Sequence, residues 1–61
     1  MPNERFAVYS VEHGWLVDTC AGGTWGWDVR KAVEYMTLLE CDKALRGAEI
    51  KIYDYCFIRI R

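Results

Sequence analysis

The chain has 61 residues, of which 52% are hydrophobic and nine are aromatic (three Trp, four Tyr, two Phe), with eight basic and nine acidic side chains and a net charge of −1. A chain of this length makes one small domain, burying only about 60% of the surface its unfolded form exposes, and such domains often lean on a metal, a disulfide or a second subunit. The interspersed charges and slight negative balance speak against a general polyanion binder and against an acidic nucleic-acid mimic, and no apolar run approaches the ~20 residues that cross a bilayer.

Arg5–Glu12 and Trp15–Cys20 are rich in strand formers, with His13 and Gly14 between them. A two-residue hairpin turn needing positive φ fits that spacing. It would set Val11 opposite Leu16, Tyr9 opposite Asp18 and Ala7 opposite Cys20. Both sides of this hairpin are apolar, so a helix is expected over one and a further element over part of the other. Residues 21–27, Ala-Gly-Gly-Thr-Trp-Gly-Trp, read as the one long loop, with at least one indole tucked against the body.

Asp28 suits a helix N-cap, followed by Val29, Ala32, Val33 and Met36 at helical spacing. That stripe lies nearly opposite Leu38, Cys41 and Leu45. Thr37 and Glu40 also match the capping-box pattern. Two short helices meeting at Thr37 reconcile both facts, with one unbroken helix as the alternative, and Gly47 supplies the stop. A long strand then runs from Glu49 to Arg61, interrupted at Asp54 by a bulge, a bend or a turn. The expected architecture is α+β: a small antiparallel sheet, made of the hairpin and the C-terminal strand, under one helical layer, in the order ββα(α)β.

Catalytic constellations are sparse. His13 is the single histidine and sits in the turn, and Ser10 is the single serine, without a nucleophile-elbow context. Cys20, Cys41 and Cys56 are odd in number and unpaired in spacing, so reduced and mostly buried thiols are expected rather than a disulfide frame or zinc site. The loop Gly22–Gly26 lacks the ending of a phosphate loop. No pair of carboxylates stands out as an acid–base couple. The expectation is a protein that is not an enzyme and carries no cofactor.

The last thirteen residues alternate with a period of two. Ile50, Ile52, Cys56, Ile58 and Ile60 fall on one side; Lys51, Tyr53, Tyr55, Phe57, Arg59 and Arg61 fall on the other. Successive strand side chains point to opposite faces. The aliphatic side is therefore expected to be core. The aromatic-basic side is expected to be a contact surface made of Tyr53, Tyr55, Phe57, Arg59 and Arg61, with Trp25 as a second patch. Tyr and Arg suit protein interfaces. A homodimer through the C-terminal strand, or a target protein, would occupy this side; the alternatives are that the rings are simply core in a sheet covered on both faces, or that single-stranded nucleic acid stacks on them.

Trp27, Asp28, Ala32, Tyr35, Thr37, Glu40 and Ala44 form a pattern that resembles a group of small phage and prophage accessory proteins, over roughly Phe6 to Ile52. In that group a hairpin leads to a short helical turn, a Thr-capped helix and a closing strand. Cys41 stands where alanine is more usual there, and the aromatic tail is an extension. The resemblance implies a protein that binds and modulates a host enzyme, including restriction or CRISPR components. It carries no residue-level role. Met1-Pro2-Asn3-Glu4-Arg5 lacks the basic-then-apolar pattern of a secretion signal. The expected location is the cytoplasm, that of the host for a phage protein, with no membrane contact.

Overall fold

A computed structural model describes residues 4–60. It has the expected α+β architecture, one antiparallel sheet under one helix, with one strand more than the sequence reading foresees. Strand β1 (Arg5–Ser10) is followed by β2 (Gly14–Asp18). The two pair at Tyr9–Trp15 and Ser10–Gly14, so the turn holds three residues, Val11 to His13. Ser10 explains the difference. Its buried hydroxyl accepts from the His13 N–H (3.3 Å) and closes the turn one residue early, while Gly14 takes the positive φ of 90°. Tyr9 thus faces Trp15 instead of Asp18.

Past Tyr9 and Trp15 the two strands diverge, and residues 33–35 fill the gap. Phe6 and Tyr35 exchange both backbone hydrogen bonds (2.7 and 2.8 Å), and the Val33 N–H donates to the Leu16 carbonyl (2.9 Å). A 3-10 turn at Cys20–Gly22 then reverses the chain into β3 (Thr24–Gly26), within the segment expected to be loop. Its glycines permit pairing where they were expected only to break structure. Gly26 lies opposite Trp15, and a β-carbon at Gly14 would collide with the Gly26 carbonyl, so the backbones approach closely only without one.

The helical stretch is broken more completely than two helices in tandem. Asp28 caps only a 3-10 turn, Val29–Lys31, accepting from the Arg30 N–H (3.0 Å). Val29 and Met36 are exposed, so no continuous stripe forms there. Helix α1 (Leu38–Gly47) starts at Thr37, whose hydroxyl accepts from the Glu40 N–H (3.1 Å). The Glu40 carboxylate returns to the Met36 N–H (3.1 Å), one residue earlier than in the usual box. The helix runs through Gly47. The left-handed residue that ends it is Glu49 (φ 56°), which turns Ile50 back onto the core.

The expected thirteen-residue ribbon is reduced to β4 (Tyr55–Ile60). Asp54 bends the chain just before it, its carboxylate accepting from the Ser10 hydroxyl (3.1 Å). All six residues of β4 pair with β1, from Ser10–Tyr55 to Arg5–Ile60, so no described part of the strand overhangs. The sheet order is β3-β2-β1-β4, antiparallel throughout. Val8, Leu16 and Leu45 form the core, with Trp25, Tyr35, Ile50, Tyr55 and Phe57 packed against it. Each fully buried aliphatic side chain contributes about 1.5–3 kcal/mol. No helix among the described residues is long and apolar enough to cross a membrane.

Candidate protein-binding surface

Strand β4 has two chemically distinct sides, as its alternation predicts, but the helix covers the opposite one. Val8 pairs with Phe57, Ser10 with Tyr55 and Phe6 with Arg59. Directly opposed residues share a face. Because Val8, Tyr55 and Phe57 belong to the core with Leu45 of α1, the aromatic side lies under the helix. Cys56, Ile58 and Ile60 pair with Tyr9, Ala7 and Arg5 on the side that faces away.

Volume gives the physical reason. Helix α1 buries only Cys41 and Leu45 toward the sheet, and two such modest side chains leave room for large rings beneath. The rings of Tyr55 and Phe57 take that room, side by side with centroids 5.8 Å apart. The bond from Ser10 to Asp54 anchors the strand on the same side. A slip of one residue would exchange the two sides of β4 completely.

The expected contact residues therefore separate. Tyr55 and Phe57 are half-buried against the core. Tyr53 is 85% exposed but precedes the bend and lies outside the sheet. Arg59 remains exposed, its guanidinium 3.3 Å from the Glu4 carboxylate. Arg61 lies outside the described residues. Trp25 is no surface patch: it sits opposite Leu16 and packs on the core, its indole N–H buried without an acceptor among the described residues.

The face that α1 does not cover has apolar side chains around a fully buried Ala7. Tyr9 and Trp15 meet as a tilted pair across β1 and β2 (centroids 4.8 Å, planes at 56°), and Trp27 meets Tyr9 edge-on at 6.4 Å. Trp27 is 64% exposed. Along β4, Ile58 is 36% exposed and Cys56 is exposed as well. The face thus has an aromatic cluster at the hairpin end and an aliphatic strip on the edge strand. The Tyr9–Trp15 pairing would have been legible in the sequence with a three-residue turn.

Two of the three thiols and one tyrosine are shifted upward in pKa. Burial pushes the Cys41 thiol above its ordinary pKa, and burial does the same to the Tyr35 hydroxyl. The Cys20 thiol is pushed up chiefly by its hydrogen bond to Asp18, whose carboxyl is in turn held low first by the Cys20 N–H (3.0 Å). A raised thiol pKa disfavours the nucleophilic thiolate. Only Cys41 is buried; Cys20 and Cys56 are exposed, against the expectation of mostly buried thiols, because Cys56 lies on the uncovered face and Cys20 in a surface turn. Among the described residues no group of three His, Cys, Asp or Glu side chains is placed to hold a metal ion. Set against family models, curated proteins and solved structures, the chain has no significant match in any of the three.

Proposed function

We propose that the protein is a non-catalytic accessory protein that acts by protein–protein binding, as a homodimer, through the uncovered face of its sheet. One observation carries the reading: Trp27, edge-on to Tyr9 of β1, and Ile58, in register with Ala7 of that strand, stand exposed next to the tilted Tyr9–Trp15 pair. Aromatic and aliphatic side chains left open together are the usual mark of a binding surface. The target class follows the phage-type resemblance of the Trp27–Ala44 pattern: a host defence or regulatory protein, such as a restriction or CRISPR component. The contact set is Tyr9, Trp15, Trp27, Cys56 and Ile58.

Pulldown from a bacterial lysate tests it. Wild type and Tyr53→Ala should retrieve the same partner, whereas Trp27→Ala and Ile58→Ser should lose it. Undiminished recovery by both open-face variants would refute the assignment of this surface. The aromatic cluster also favours a second reading, since rings on an open sheet face are a stacking platform for single-stranded nucleic acid. Of the β1 and β4 side chains on this face, Arg5 alone is basic, so the reading ranks second. Titration of labelled single-stranded oligonucleotides at two salt concentrations decides it, through salt-sensitive binding or its absence.

A further inference from the structure

The two edges of the sheet are unlike. Edge strand β3 has three residues, includes Gly26 and follows a register shift between Leu16 and Asp18. Short length and irregular register are how sheets blunt an edge. Edge strand β4 has six residues in unbroken register, with neither proline nor glycine, and no described strand lies on its outer side.

The groups displayed on that edge follow from the ladder. Phe6 spends its N–H and C=O on Tyr35, away from β4. Residues of an antiparallel strand alternate in the direction their backbone groups point. Phe6, Val8 and Ser10 therefore make non-hydrogen-bonded pairs with Arg59, Phe57 and Tyr55. The N–H and C=O of those three β4 residues point outward.

We infer that this edge pairs with a second copy of the chain, β4 against β4, antiparallel about a two-fold axis at Phe57. This deepens the homodimer of the proposed function by assigning its interface and register. The Phe57-centred register satisfies all outward groups at once. Phe57 pairs with the partner's Phe57, and Tyr55 with the partner's Arg59, twice by symmetry. Registers shifted by two leave Tyr55 or Arg59 without a partner among these residues. The antiparallel arrangement brings the Asp54 end of one strand, whose carboxylate also accepts from Ser10, near the Arg59 end of the other, whose guanidinium also meets Glu4, so opposite charges lie at each end of the seam. A tyrosine ring also accepts a guanidinium well. On the open face, Cys56 lies opposite the partner's Ile58, so two aliphatic strips merge. The product is an eight-stranded sheet with both helices on one side and a single doubled open face on the other.

Two variants test the register, with mass by light scattering. Arg59→Pro removes an outward N–H that β1 does not use, and its side chain is exposed; the monomer fold should survive, checked by circular dichroism, while dimer dissociation rises at least about tenfold. The second variant adds Ile58→Cys in a Cys20→Ser background. The pair 56–58 across the axis then lies at non-hydrogen-bonded spacing, about 4.5 Å between α-carbons, within disulfide reach. Mild oxidation should give a covalent dimer bridged from Cys56 to position 58 of the other copy, and Cys20→Ser alone should give none. A dimer that resists Arg59→Pro and forms no such bridge overturns the β4 interface while leaving dimerisation intact. A monomer at tens of micromolar overturns both.

Discussion

Tyr55 and Cys56 are neighbours on one strand, yet the first lies half-buried against the helix-covered core and the second stands open. The same contrast divides the whole sheet. Val8, Leu16 and Phe57 face Leu45 across a closed layer, whereas Tyr9, Trp15, Trp27 and Ile58 share a surface that α1 does not cover. Both faces are apolar, so hydrophobicity does not tell the covered face from the open one. What separates them is which face the single helix occupies.

The sharpest test of the contrast is a pair of truncations. Leu16→Ala empties a site with no solvent exposure and should lower unfolding free energy by about 3 kcal/mol. Ile58→Ala, on the open face, should cost under about 1 kcal/mol by the same urea titration. Equal losses would mean that the open face is covered in solution. Gly14→Ala probes the turn end of that face. Its φ of 90° and the Gly26 carbonyl both reject a side chain, so a loss of about 2 kcal/mol is expected, detectable as a lower Tm. A smaller loss than that of Gly14→Ala is expected from Thr37→Ala, which removes one capping bond of α1 and should cost about 1 kcal/mol. It loosens the cover and spares the open face, so partner recovery should persist at temperatures below the lowered Tm.

The legible parts of the fold are those governed by local chemistry. Thr37 caps a helix because its hydroxyl reaches a backbone N–H three residues on, and that relation needs no distant neighbour. Asp28 caps a turn for the same reason. The sequence pattern could not tell that this turn would stop after Lys31, because the extended path of residues 33–35 is set by hydrogen bonds to Phe6 and Leu16, distant in the chain. Strand β3 was hidden in a glycine-rich segment whose pairing depends on the close approach of Gly14 and Gly26. The hairpin register moved because Ser10 bonds forward to His13 and across the domain to Asp54. For the candidate site, the two-sidedness of β4 was readable, but the side expected to stand open is the one that packs under α1.

The amino-acid sequence alone determined the α+β class, the start of the helix and the alternation that gives the last strand two unlike sides, since each arises from backbone periodicity and contacts within a few residues. Only the tertiary structure decided where the last strand begins and which of its sides meets solvent. Those outcomes depend on the space under α1, which Tyr55 and Phe57 fill better than Cys56 and Ile58, and on a hydrogen bond between residues 44 positions apart.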